Sequence, residues 1–387
     1  MALNLTTGEW VEVRSKEEIL ATLDKRGQLG GLPFMPPMFN ACGKRFRVYR
    51  RAHKTCDTVN DYKGLKMEAA VHLEGSRCMG EAHGGCEAAC LIFWKEAWLK
   101  RVAGPEQPAN AADSSPTANG CAATENGACT ENDVIAGTQA PDSNPQDPTF
   151  VCQATRLPEA CKPLPWWDLR QYVQDYTSKN VGIGRMFRGF FYLGYVNLSN
   201  LGIGIGRPMR WLYDRVQSFL GGVPYPRRRG TIPKGERTPT VSLNLQPGEL
   251  VRVKSYQEIL TTLDENNRNR GLYFDAEVVP FCGGVYRVLS RVTKIIHEKT
   301  GKMIKLKGCV ILSNVFCQSR YSNNRIFCPR ALYQFMQEIW LERIPIEENA
   351  KTPENDVTWE DHRDQSAGDR KPACASAVEM NSTCRND

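Results

Sequence analysis

The sequence predicts an α+β fold: two tandem repeats of a small curled antiparallel sheet, each with a packed C-terminal helix, joined by an aromatic helical connector. Three observations carry this. Residues 3–24, LNLTTGEWVEVRSKEEILATLD, recur as 243–264, LNLQPGELVRVKSYQEILTTLD, with 14 of 22 positions identical at an offset of 240. Each copy then runs through the same order of short alternating strands and helical stretches. Between the copies, aromatic residues and arginines interleave over 150–240, as in RMFRGFFYLGYVNLSN.

Within a copy, EWVEVR or ELVRVK alternates as a strand does. Ser15 with Glu18, and Ser255 with Glu258, have the spacing of a capping box, in which two free amide donors at a helix start find partners. The brief helix EEILATLD puts Ile19, Leu20 and Leu23 on one face. A Gly-rich segment and a strand follow, KRFRVYRRAHK or GVYRVLSRVTKII; in the second copy EKTGK reads as a hairpin turn before MIKLKGCVILS. CEAACLIFWKEAWLKRV and CPRALYQFMQEIWLERI place apolar residues at helical spacing and predict the closing helix. The offset of 240 persists at Cys42-Gly43 with Cys282-Gly283, Arg47-Val48 with Arg287-Val288, and Arg51 with Arg291. After small insertions Cys78 aligns with Cys317, Cys86 with Cys328, and Trp98-Leu99 with Trp340-Leu341. Repeats of about 100 residues at 1–102 and 241–345 are therefore expected.

The remaining segments differ in composition. Residues 103–149 contain seven acidic residues and no Lys or Arg, with few large apolar side chains, and are expected to be disordered, as is the acidic tail 346–387. The 387-residue chain is 41% hydrophobic and 24% charged, which suits a globular protein of two or three domains. Its net charge is +7; setting aside the −7 of the insert and the −5 of the tail leaves the rest at +19. A basic body suits an anionic partner: nucleic acid, an acidic protein or glycan, or a membrane surface. Arg45, Arg47, Arg50 and Arg51, with Arg227, Arg228 and Arg229, are the candidate contacts; solvated charged faces are the plain alternative.

Gly189–Gly206 runs for 18 residues without a formal charge, between Arg185, Arg188, Arg207 and Arg210. Five Gly, two Asn and one Ser argue against a membrane span, leaving an interfacial segment or buried inter-domain packing. MALNLTTGEWVEVRS has neither the basic nor the apolar region of a secretory signal, so a cytoplasmic setting, with membrane association as an alternative, is expected.

There are 15 cysteines, and in a reducing compartment they bind metal, react or pack more often than they pair. Cys42, Cys56, Cys78, Cys86 and Cys90 with His83 in the first copy, and Cys282, Cys309, Cys317 and Cys328 in the second, can supply four ligands each for tetrahedral zinc. Four thiolates also suit an iron–sulfur cluster, and buried free thiols are the structural alternative. A nucleophile–base reading takes Cys56 with His53 or Cys86 with His83; the Gly-Gly between His83 and Cys86 permits a tight turn. No H-E-x-x-H or G-x-S-x-G occurs, and the Gly-x-Gly runs lack the βαβ context of a dinucleotide site.

GLPFMPPM with AHKTC, CMGEAHGGCEAACLIFWKEAW and CPRALYQFMQEIWLER together resemble a bacterial protein family with no established activity, over both copies and the connector but not the 103–149 insert. The resemblance implies the duplication and an intracellular bacterial setting, and carries over no site residue. PGELVRVKS is similar to the first strand of SH3-like barrels, so a small SH3-like barrel stands beside the curled sheet as the form of each repeat.

The expectation is a non-catalytic binding or scaffold protein with zinc-pinned modules that contact an anionic partner. Two alternatives stand beside it. One is a thiol-dependent enzyme or redox/iron–sulfur protein centred on His83, Cys86 and Cys90. The other is a peripheral membrane protein docked through 185–220.

Overall fold

The alternating WVEV forms strand β1 (Trp10–Val13), with Val11 and Val13 buried. The structure is a computed structural model that describes residues 3–60, 63–105, 129–201, 204–322 and 325–345. It is mixed α/β, with several antiparallel sheets and few helices. Helix α1 (Lys16–Leu20) starts on the expected capping box. The Glu18 amide donates to Ser15 Oγ at 3.3 Å, and the Ser15 amide to Glu18 Oε2 at 3.0 Å. Next come β2 (Arg45–Arg51), β3 (Ala70–Leu73), β4 (Trp94–Lys95) and β5 (Leu99–Val102), which with β1 make one five-stranded antiparallel sheet in the order β4-β3-β2-β1-β5.

The segment before the connector holds α2 (Glu131–Ala136), and the connector holds α3 (Arg170–Thr177), α4 (Ile183–Ser199) and α5 (Gly206–Leu220). A second sheet follows, from β6 (Leu250–Val253), β7 (Val285–Ile296), β8 (Met303–Phe316), β9 (Tyr333–Gln337) and β10 (Leu341–Arg343), with α6 (Tyr256–Leu260) after β6. Its order is β9-β8-β7-β6-β10, also antiparallel throughout. Among the described residues neither sheet closes into a barrel: β4 and β5 remain the edges of one, β9 and β10 of the other.

The two cores use the same devices. Trp98 packs edge-on against Phe34, with ring centres 5.1 Å apart, and its Nε1 donates to Thr22 Oγ1 at 3.1 Å. Trp340 does the same with Phe274 at 5.2 Å and Thr262 Oγ1 at 3.1 Å. A buried indole needs such a partner, because an unpaired polar N–H would offset much of its apolar burial.

Two expectations are overturned. The helices predicted to close each repeat are strand, one 3-10 turn and strand: Trp94–Lys95, Glu96–Trp98 and Leu99–Val102 in the first half, Tyr333–Gln337, Glu338–Trp340 and Leu341–Arg343 in the second. Pairing with β1 and β6 overrides local helical spacing here. The turn is fixed by a buried carboxylate, Glu96 or Glu338, that accepts backbone amides from the segment leading into β1 or β6. The second correction concerns the acidic segment 103–149, expected to lack structure. Its residues 106–128 lie outside the described residues, but 129–149 are ordered. Thr130 and Asp133 cap α2, and Val134 is buried against Gly27. Average composition hid a few apolar side chains that insert into a core built by the rest of the chain. The tail 346–387 lies outside the described residues.

His72, on β3, is fully buried, its Nδ1 2.9 Å from the Ile92 carbonyl and its ring 4.4 Å from that of Phe93. Burial, opposed by that hydrogen bond, pushes its pKa down to about 3. The unfolded chain therefore binds a proton between pH 6.5 and 3 that the folded chain refuses. This contribution is complete above pH 6.5 and is lost as pH falls, at up to about 1.4 kcal/mol per pH unit. Denaturation midpoints measured from pH 7 to 4 are expected to fall less steeply for His72→Gln than for the parent; identical slopes would refute the assignment. His83, also lowered by burial, adds in the same direction in both proteins.

Candidate functional site

All twelve cysteines among the described residues are free thiols, and no three His, Cys, Asp or Glu side chains there are grouped so as to hold a metal ion. Of the cysteines proposed for the second copy, Cys282 and Cys309 have separate surroundings, whereas Cys317 and Cys328 both lie near Cys56 of the first half. Cys282 ends the 3-10 turn Ala276–Phe281, its Sγ 3.9 Å from the Val278 carbonyl; burial pushes it up to about 12. Cys42 occupies the matching position after Pro36–Ala41 and is raised by burial too. Cys309 sits in β8, also raised to about 12 by burial and by Glu338. Cys317 Sγ lies 3.7 and 3.9 Å from the hydroxyls of Ser319 and Ser322. Cys328 reaches across to Cys56, from the other half. Its hydrogen bond, helped by Arg330, outweighs burial and holds the Cys56 thiol below the ordinary thiol range. Arg330 is 1% exposed and donates to the Cys56 carbonyl and to Thr58 Oγ1.

Cys78, Cys86 and Cys90 line a small cavity of about 40 Å³ with His83 and Cys152, a cysteine not singled out in the sequence. Burial raises Cys78 and Cys90, and lifts Cys152 to about 12. The tight turn before Cys86 is real: Gly84 and Gly85 have φ +62° and +72°, and the Cys86 amide donates to the His83 carbonyl at 3.2 Å. It does not make a nucleophile–base pair. His83 Nε2 lies 3.0 Å from the Val151 carbonyl, while Cys86 Sγ accepts the Ile296 amide at 3.4 Å. His53 likewise turns to Asp175, 3.3 Å away, rather than to Cys56.

Most of the candidate arginines are used within the fold. Arg45 pairs with Glu12 at 3.1 Å, Arg47 donates to the Gly8 carbonyl at 3.1 Å, and Arg51 pairs with buried Glu96 at 3.2 Å. Arg227 donates to the Tyr321 carbonyl and Arg228 pairs with Asp214. Arg229 is exposed. Arg50 alone of the first cluster faces a large cavity.

That cavity, about 660 Å³, lies between α4, the inner side of α5, β2 and the segment after β8. Arg50, Arg185, Arg188 and Arg320 line it, with Glu74 as the carboxylate and Tyr49, Tyr192, Tyr213 and Tyr321 among the aromatic walls. Its placement depends on Gly189, where a Cβ would meet the Phe327 ring at 2.4 Å, so only glycine lets α4 approach this closely. Arg185 Nη2 donates to the Gln318 carbonyl at 2.6 Å, but its buried Nε has no partner. Burial, then Arg50 and Arg320, push its pKa down to about 9. The Tyr192 hydroxyl is buried and unpartnered as well. Arg185 and Arg188 flank the uncharged run noticed in the sequence; Arg320 and Tyr49 carried no signal, because only the fold brings them there.

The solvent side of the same helices is apolar as well, although α4 also buries Leu193 and Val196 on its inner side. Ile183, Phe187, Phe191 and Leu198 recur at helical spacing on α4 and are exposed, Phe191 by 75%. On α5 no residue is buried: Tyr213, Asp214 and Gln217 turn inward, while Leu212, Val216, Phe219 and Leu220 turn outward, Phe219 being 91% exposed. Arg188, Arg207, Arg210 and Arg215 are exposed around them. Among the described residues no helix is long and apolar enough to cross a membrane. No protein-family model matches the chain, and neither curated proteins nor solved structures show significant similarity to it.

Proposed function

We propose that the chain is a non-catalytic binding protein, built from two copies of one α/β unit, that docks peripherally on an anionic membrane surface through 185–220. One observation carries this reading: α4 and α5 each present a row of large apolar side chains to solvent, ringed by exposed arginines. Water disfavours such a surface, whereas a bilayer interface takes the apolar side chains into its acyl boundary and the guanidiniums into its headgroup layer. Full burial of each large apolar side chain is worth about 1.5–3 kcal/mol. Each arginine near an anionic surface adds about 1 kcal/mol. Nucleic acid or an acidic protein would use the charge but leave the phenylalanines and leucines unexplained.

The test is flotation with vesicles. The full chain should float with phosphatidylserine-containing vesicles, less with pure phosphatidylcholine, and less again as salt is raised. Leu212→Glu with Phe219→Glu should lower the bound fraction at least tenfold and leave the fold unchanged, since neither side chain is packed inside. Equal binding by the double variant, or no binding to anionic vesicles by the parent, would rule the reading out.

A further inference from the structure

We propose that the 660 Å³ cavity is a binding site for the phosphate head of an anionic amphiphile drawn from the docked membrane, a proposal that rests on the membrane reading above. The charge balance points to an anion. Arg50 and Arg320 lie close enough to Arg185 to weigh on it electrostatically, with Glu74 the one lining carboxylate and Glu277 a smaller opposing charge behind the wall. The Arg185 Nε and the Tyr192 hydroxyl are buried donors without partners in the folded chain. Two unpaired donors in one cavity are a standing cost to folding, and a phosphate oxygen would satisfy both kinds. Gly182, which precedes the first turn of the 17-residue helix α4 and supplies no side-chain cap, lies at the same cavity, so the positive end of that helix also faces it.

The walls decide what the phosphate is attached to. Phe187 and Phe191 line the cavity and also belong to the exposed apolar face of α4. A phosphate held by the arginines would therefore have an apolar path from the cavity to the surface that meets the bilayer. The volume is that of a small-molecule site and accommodates a headgroup with the first part of an acyl chain. A soluble nucleotide would use the arginines and tyrosines but not this apolar exit.

Binding of dioctanoyl phosphatidic acid, below its micellar concentration, to the full chain tests this by calorimetry, beside dioctanoyl phosphatidylcholine, inorganic phosphate and AMP. The phosphatidic acid is expected to bind at least tenfold more tightly than the other three. Arg185→Gln should weaken it at least tenfold and, by removing a half-buried cation whose buried Nε has no partner, should raise the melting temperature of the ligand-free protein. Arg320→Gln, at an exposed position, gives the same weakening without touching the interior. Leu212→Glu with Phe219→Glu should leave this soluble binding intact, so the site can hold even where vesicle docking fails. Equal or tighter binding of phosphate or AMP would make this a soluble-phosphate site and overturn the proposal. Absence of binding, or binding indifferent to both arginine substitutions, would overturn it outright.

Discussion

Asp175→Ala is expected to destabilise the protein by about 3–5 kcal/mol, because it strands a buried ammonium. Asp175 is fully buried on α3 and pairs with Lys54, which is 4% exposed. Lys54 also donates to the Ile326 carbonyl at 3.1 Å and sits over the rings of Tyr172 and Phe327 at 5.0 and 5.5 Å. One side chain thus ties the first half, the connector and the second half together. Burial already lowers the Lys54 pKa, with Asp175 opposing that shift, so loss of the carboxylate leaves a charge that must be neutralised or resolvated. Urea denaturation at pH 7 measures the effect. Asp175→Asn should cost less, since it keeps an acceptor, and Asp175→Leu combined with Lys54→Met should recover most of the loss. A cost below about 1 kcal/mol for Asp175→Ala would mean that water reaches Lys54.

What the sequence made legible was local or repeated. The capping boxes at Ser15 and Ser255, the first strands, and the hairpin that turns between Ile296 and Met303 follow from short-range spacing, and all are present. The closing segments failed because Trp94, Trp98 and Leu99 satisfy a helical period and an extended one about equally over so short a stretch. The partner strand, distant in sequence, decides between them. The thiols are not gathered as a metal set among the described residues, for a related reason. Cys282 repeats Cys42 and Cys309 belongs to the second copy alone, yet one ends a turn and the other lies within a strand, and each is buried in its own surroundings. Identity of residue type says nothing about convergence. The connector was the reverse case: its arginines and aromatics were conspicuous in sequence. Which of them face a cavity and which face solvent depends on how α4 and α5 pack against Phe327 and Tyr321. Arg51 and Arg291 illustrate the limit of charge counting, since both serve buried glutamates.

Those glutamates carry the second large effect. Glu338→Ala is expected to cost about 3–5 kcal/mol, the range for breaking a buried pair. Glu338 is fully buried and accepts the amides of Leu243 at 2.8 Å, Asn244 at 3.3 Å and Leu245 at 3.0 Å, with Arg291 3.5 Å away. Alanine leaves three amides without their acceptor, while Arg291 keeps Asn244 Oδ1 and the Leu245 carbonyl. Glu96 holds Asn4 and Leu5, each at 3.0 Å, and Arg51 in the same manner, so Glu96→Ala should cost a similar amount. The two carboxylates share no partner, so in one cooperative transition their costs should add within about 0.5 kcal/mol. Denaturant unfolding of the single and double variants distinguishes two cases. Additive shifts of a single transition mean that the Lys54 and Arg330 bridges make the halves unfold together. If each variant moves only one of two separate transitions, each half folds on its own core, and the bridges serve to orient the halves around the cavity rather than to hold them folded.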